Sequence, residues 1–381
     1  MTSALDTLRA HYRDRIAAAR AHHEAGGKVI AYLCDNVPVE LIEAAGAFPL
    51  RVHGGPEVDR APVRRHVDSL YPPDVTQRPD FVGAMLGRLL GGGLEFVDAV
   101  IVPHNRNAVQ AIHRQLHDAQ REHGLALPPT LYLDKAWSPH DEARAYNRRS
   151  IELLIDALGA ITGTIPAGAA LADAIAAHEE RRRLIGRLVA ARAARPGRIA
   201  GSLAIELIGA SWAMPAATFN PLAAAALDAL ETAPPIKGPR LYLGGSPHDH
   251  PALYRLVEEL GANVVAEDHC WGNRAADLPL GGDADPIAAI ARRFDDFPAC
   301  SIRLPLARGR DEMVRRALIA EADGALLYVM AGDTTQAWET PGEAEALRAA
   351  GVRVRHLRRQ PYVADEAARA AIGAFIEELR A

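Results

Sequence analysis

Residues 238–274 read GPRLYLGGSPHDHPALYRLVEELGANVVAEDHCWGNR, and the fold turns on how this stretch is parsed. A short apolar run at 241–243 breaks at Gly244-Gly245 and opens into a polar loop. Leu253, Leu256, Val257 and Leu260 then fall at helical spacing. After Gly261 a second apolar run, 264–266, leads into a second polar loop holding Glu267, Asp268, His269, Cys270, Trp271 and Arg274. The order strand, loop, helix, strand, loop is one βαβ unit. In open α/β sheets ligands bind beyond the carboxyl ends of parallel strands, so these two loops are where function is sought first.

Working outward, the same alternation recurs on the N-terminal side. Strands are expected at 28–33 (KVIAYL), 48–52, 98–102 and 131–133. They end in Asp35-Asn36, His53-Gly54-Gly55, Pro103-His104-Asn105-Arg106 and Asp134-Lys135. Between the first two, Pro38 opens a short helix that Gly46 closes, the usual order of those residues at helix ends. Residues 1–25, rich in Ala and Arg, read as a helix packing outside the first domain and ended by Gly26-Gly27. From Ser150 the period changes: Ile151, Leu154, Ile155 and Leu158, then Leu171 and Ile175, then Leu184, Ile185, Leu188 and Val189 mark helical faces. Pro234-Pro235 marks a boundary, since neither residue can join a ladder. Beyond 264–266, further strands are expected at 300–304, 325–330 and 352–357, with a closing helix at 365–379. The expectation is an α/β protein: two Rossmann-like (flavodoxin-like) parallel-sheet domains, 1–149 and 236–381, joined by a helical segment at 150–235.

The 381 residues exceed one ordinary core. No apolar run approaches the roughly 18 residues of a membrane span, and the opening MTSALDTLRAHYRDR has no apolar signal core, so a cytoplasmic location is expected. A net charge of −5 argues against a basic nucleic-acid surface. The 3 cysteines, Cys34, Cys270 and Cys300, are far apart and form no CxxC-type framework.

Several residues stand where chemistry is done. Ser246, His248, Asp249 and His250 crowd one strand end, where His248 and His250 are candidate zinc or iron ligands. The competing reading is a solvated tip in which Ser246 or Asp249 caps the next helix. The segment Gly244-Gly245-Ser246-Pro247 lacks the G-x-S-x-G elbow of a serine hydrolase. His53, Glu57, His66 and His104 follow first-half strands and would share one crevice; His53, Glu57 and His104 are candidates for proton transfer. Asp268 and Arg274 either orient a substrate or pair with each other. Cys270 beside His269 is a weak nucleophile candidate. No glycine cluster makes the G-x-G-x-x-G of a dinucleotide site.

Four blocks together resemble the subunits of 2-hydroxyacyl-CoA dehydratases and benzoyl-CoA reductases. They are GGKVIAYLCDNVPVELIEAAGAFPLRVHGG, ELGANVVAEDHCWGNR, DADPIAAIARRFDDFPACSIRLPLARGRDEM and EADGALLYVMAGDTTQAWETP, in that family's order and spacing. The resemblance implies two flavodoxin-like halves and a hetero- or homodimer with a related subunit. It also implies a [4Fe-4S] cluster, electrons from an ATP-dependent activator protein, and an acyl-CoA substrate.

This chain departs from the pattern where it matters. The positions at which the family supplies cluster thiolates look like Arg78, Arg106 and Gly332 here, and soft sulfur donors are what hold such clusters. The expectation is a chain without a cluster of its own, contributing to acyl-CoA binding or electron-donor docking beside a cluster-bearing partner. Arg78, Arg106, Ser246, His248, Arg274 and Asp333 would border its substrate site. Alternatively Arg78 and Arg106 only pair with acids such as Asp80 or Asp333. If active, the chain would be a dehydratase-like lyase or a reductase-like component. The other readings are a protein binding an anion or acyl-CoA, and a non-redox metal-assisted lyase or hydrolase.

Overall fold

The computed structural model describes residues 3–72, 77–281, 285–297 and 306–381. Eight strands form two four-stranded sheets. The first holds β1 (Val29–Tyr32), β2 (Phe48–Arg51), β3 (Ala99–Pro103) and β4 (Thr130–Leu133), in the order β2-β1-β3-β4. The second holds β5 (Arg240–Gly245), β6 (Asn263–Glu267), β7 (Gly324–Met330) and β8 (Arg353–Gln360), in the order β6-β5-β7-β8. Every pairing is parallel. The two halves therefore share one strand order, the flavodoxin-like one. Its crevice opens where the order reverses, between β1 and β3 in one sheet and between β5 and β7 in the other.

Strand composition follows position in the sheet. β1, β3 and β7 are buried along their whole length and read as unbroken apolar runs, as parallel strands covered on both faces do, and β6 is equally buried with Asn263 and Glu267 at its ends. The edge strand β8 reads RVRHLRRQ and stays largely accessible; charge on an edge guards it against pairing with another chain. The expected strand at 300–304 lies outside the described residues.

Between the sheets runs a helix of 26 residues, Gly168–Ala193, roughly 39 Å long at 1.5 Å per residue. It is gripped from both halves. Arg182 pairs with Glu40 at 2.7 Å and His178 with Glu43 at 3.0 Å on the first-sheet side. Near its other end Arg192 meets Glu267 at 2.8 Å, with both side chains wholly buried. The N-terminal helix departs from expectation. Ala4–Arg13 packs on the middle helices, with the Tyr12 ring against Gly209 and Arg9 paired to Glu206 at 3.0 Å. Its apolar positions Leu8 and Tyr12 need a partner surface, and the helix Gly201–Ser211 supplies it. Among the described residues no helix is long and apolar enough to cross a membrane.

Candidate functional site

The two crevices face each other, and one buried ion pair joins them. Arg106 ends the β3 loop and sits at the N-cap of the helix Asn107–His123. Asp333 ends the β7 loop and caps the helix Thr334–Ala349, its Oδ1 accepting from the Gln336 amide at 3.2 Å. Arg106 Nη1 donates to Asp333 Oδ2 at 3.1 Å, with 4% and 2% of the two side chains exposed. Ser246, at the end of β5, donates its hydroxyl to the same Oδ2 at 2.7 Å. The Ser246 oxygen in turn accepts from the Met330 amide at 3.0 Å. A buried carboxylate is tolerable only when so surrounded by donors.

Arg78 joins the same place through its backbone. A Cβ on Gly332 would stand 2.5 Å from the Arg78 carbonyl oxygen, and Gly332 has φ +79°, a conformation glycine adopts cheaply. Positions 78, 106 and 332 thus do converge. The guanidinium of Arg78 turns away and pairs with Asp68 at 2.6 Å. Asp80, the partner expected from sequence, is taken by Arg60.

The loop from Ser246 to His250 is not a solvated tip. Ser246, His248, Asp249 and His250 are all buried, and the helix Ala252–Glu259 begins at Pro251 with no side-chain cap. Asp249 reaches the other lobe instead: Oδ2 accepts from the Gly54 amide at 2.9 Å and Oδ1 from the Tyr362 hydroxyl at 2.5 Å. That hydroxyl accepts from the Gly55 amide at 2.9 Å, and Arg15 donates to the Asp249 carbonyl at 3.2 Å. His248 lies among the rings of Tyr254, His269 and Tyr328. Burial, then the neighbouring His269 and His250, push its pKa well below the usual histidine value. Among the described residues no three or more His, Cys, Asp and Glu side chains are grouped to hold a metal ion, so His248 and His250 lack further ligands there.

The loop after β6 is equally enclosed. Glu267 is held below its usual range because Arg192, and His269 after it, outweigh the cost of burial. His269 Nε2 meets the Tyr254 hydroxyl at 2.8 Å, and burial drives its pKa to about 4. Trp271 covers Arg51, whose guanidinium carbon is 3.8 Å from the Trp271 ring and 4.8 Å from that of Trp212. Arg51 Nη1 also donates to the Cys270 carbonyl at 3.0 Å, tying β2 to this loop. Arg274 is fully buried, and its Nε stands 3.7 Å from Asp268, an ion pair too long to be a hydrogen bond. Cys34 and Cys270 are buried; Cys300 lies outside the described residues.

Of the first-half candidates, His53 and Glu57 meet at Arg88, which donates to the His53 carbonyl at 2.9 Å. His53 is buried, with burial, Arg15 and Arg88 all opposing its protonation. Glu57 pairs with Arg88 at 2.8 Å, and His66 packs edge-on to His123. His104 Nδ1 meets Asp134 at 2.8 Å near the edge strand β4. Glu57 and His104 are thus held by local ion pairs, whereas the buried Nδ1 of His53 makes no hydrogen bond among the described residues.

Sequence reading placed Asp35 and Lys135 only as strand ends and passed over Arg51, Asp68, Glu343 and Tyr362. Lys135 donates to the Phe297 carbonyl at 2.8 Å and to that of Phe294, with its ammonium over Trp137; burial lowers its pKa to about 7. Its signal was rarity, since Lys occurs only at 28, 135 and 237. Burial, then Asp268 and Glu339, raises the Glu343 carboxyl to about 8. Nothing in a helical acidic run distinguishes that residue in advance.

Residues 34–379 match the family model described as 2-hydroxyglutaryl-CoA dehydratase, D-component. The chain belongs to that family. None of the curated proteins matches it. As a dehydratase-type component it invites a test of its residues against the iron–sulfur cluster that the resemblance implies. A cluster needs convergent thiolates. At the three convergent positions stand Arg78, Arg106 and Gly332. Arg106 is committed to Asp333, and position 332 has no room for a side chain. These residues do not fit a cluster.

Proposed function

We propose that this chain is the cluster-free component of a 2-hydroxyacyl-CoA dehydratase-type system, forming part of an acyl-CoA site beside a cluster-bearing partner. The observation that carries this reading is the Arg106–Asp333–Ser246 linkage, standing where both crevices meet. It occupies with charge and hydrogen bonds the point at which thiolates would otherwise converge. The surroundings suit binding rather than electron storage. Polar groups from both lobes are fixed by buried partners, and the Asp249–Tyr362–Gly54 contacts hold the lobes in register. Fixed donors and acceptors at a seam are what orient a ligand without spending binding energy on reorganisation. Such a component works with a related subunit and an ATP-dependent activator, both supplied from outside this chain.

The test is anaerobic purification from the native organism, with iron determined for each separated chain. Recovery with a related, iron-bearing subunit, and a thermal shift of this chain by acyl-CoA thioesters, is the expected outcome. Recovery of this chain alone, brown and with a full cluster, would overturn the reading.

A further inference from the structure

Two histidines of one helix aim at a single oxygen of the edge strand β4. His113 and His117 stand four residues apart on the helix Asn107–His123, so their side chains lie on one face, a turn apart. His113 Nδ1 lies 2.9 Å from Thr130 Oγ1, and His117 Nε2 lies 3.0 Å from the same atom. The two rings meet edge-on with their centroids 4.6 Å apart. Thr130 opens β4 and is paired in register with Val100 of β3, so the oxygen is carried by the sheet. Adjacent His22 and His23, by contrast, turn to different rings, Phe48 and Phe96.

A hydroxyl carries one proton, so Thr130 can donate to only one of the two rings, and the other must turn an N–H towards the oxygen. A cation that accepts a lone pair from each ring uses both in the same way. The spacing suits it: ligands about 2.1 Å from a metal and at right angles to each other are about 3.0 Å apart. Both nitrogen-to-oxygen distances already have that value. His113 is half-buried and lies against the Tyr132 ring, centroids 5.2 Å apart, which fixes its orientation. Burial, then His117, lowers its pKa, so near neutral pH the ring offers a lone pair rather than a charge. His117 is exposed, which leaves the pair open to an entering ion and to water.

We propose that His113, His117 and the Thr130 hydroxyl form a binding site for one divalent late transition-metal ion, the copper, nickel or zinc that imidazole nitrogens favour. Spacing of four on a helix is the one by which two imidazoles reach a single metal. Arg114 stands where the metalloprotease form of that spacing has its glutamate, so the site holds an ion without a general base beside it. With two nitrogens and one weak oxygen donor from the chain, water completes the coordination, unlike the closed four-ligand site of a structural zinc. The ion joins the helix Asn107–His123 to the edge of the first sheet. The site depends on no part of the acyl-CoA reading.

Calorimetric titration of the tag-free full chain with nickel(II) chloride and with zinc(II) chloride at neutral pH tests the site. One ion per chain is expected, with nickel bound more tightly than zinc only where geometry permits its wider coordination, and with binding lost as pH falls through about 6.5, where protons compete for the imidazoles. His113→Asn and His117→Asn should each weaken the binding about tenfold or more, since even partners outside the ligand set are worth about 10–100-fold. Thr130→Val keeps both imidazoles and should weaken it less than either. His117 is exposed, so His117→Asn leaves the core untouched and the result does not hinge on a folding defect. Nickel should also raise the unfolding temperature of the wild type and leave that of the double histidine variant unchanged. No ion bound by the wild type overturns the proposal. So does undiminished binding in the double variant, which would assign the ion to other histidines.

Discussion

Replacing Arg106 by Met tests the joint between the lobes. The Arg106–Asp333 pair is almost fully buried, with nitrogen and oxygen 3.1 Å apart. Removing one partner of such a pair costs about 3–5 kcal/mol, because the other charge stays behind in a low-dielectric site. Asp333→Asn removes the charge and keeps the helix cap. The amide oxygen can still cap the helix Thr334–Ala349 in place of Oδ1, a contribution of about 1 kcal/mol, while an amide nitrogen replaces Oδ2, so the bond accepted from Ser246, worth about another 1 kcal/mol, is given up. The double variant has no stranded charge. It is expected to be more stable than Arg106→Met alone, with a coupling of about 2 kcal/mol or more between the positions. Urea unfolding followed by tryptophan fluorescence reads this directly, because Trp212 and Trp271 are buried near the seam. A single Arg106→Met variant within about 0.5 kcal/mol of wild type, the range of ordinary surface changes, would refute the reasoning. So would strictly additive singles.

Three further outcomes are expected. His269 is buried neutral, with burial lowering its pKa to about 4 from an ordinary histidine value of about 6.5, so the unfolded chain binds its proton first. Stability then falls as pH drops from about 6.5 to 4, by up to about 3 kcal/mol, and His269→Gln should flatten that part of the profile. Glu343, with a carboxyl raised to about 8, works in the opposite sense. The folded chain keeps the proton that the unfolded chain loses above pH 4.5, so stability declines towards pH 8. Glu343→Gln should recover about 2 kcal/mol there, a figure discounted for the partial exposure of the side chain; equal pH profiles for variant and wild type would count against the shift. Tyr362→Phe deletes the hydroxyl shared by Asp249 and Gly55 and should cost about 1–3 kcal/mol in thermal or urea unfolding, where a loss near zero would deny the latch.

The strands were legible because their signal is local. Apolar runs bounded by glycine and polar residues placed seven of the eight strands within a residue or two, with only β8 running further, from Arg353 to Gln360 against an expected 352–357. The site was legible only in part. That Arg78, Arg106 and Gly332 meet follows from strand order, since residues beyond β3 and β7 flank the two crevices. What each does there was not readable. The Arg78 carbonyl matters as much as its guanidinium, and Asp68 rather than Asp80 takes the charge. The loop at 246–250 misled for a plain reason. Histidine and aspartate in a loop usually face water, but this loop lies under the opposite lobe, and burial that comes from another part of the chain leaves no trace in local composition.

The resemblance and the structure together separate two kinds of signature residue. Glu40 in the VPVE block lies in the first turn of the helix Val39–Ala44, and Glu267 in the AEDHC block ends β6. In the structure both are spent on one helix: Glu40 on Arg182 and Glu267 on Arg192, about 15 Å apart along Gly168–Ala193 at 1.5 Å per residue. Two blocks from two lobes thus clamp the same rod; losing Glu40 leaves Arg182 with Glu179 alone, and losing Glu267 leaves Arg192 with only the Asn273 amide oxygen. The tips at 78, 106 and 332 carry other duties: Arg78 pairs with Asp68, Arg106 with Asp333, and Gly332 packs against the Arg78 carbonyl. Matching the blocks therefore establishes the family and the fold, and the chemistry has to be read at the tips.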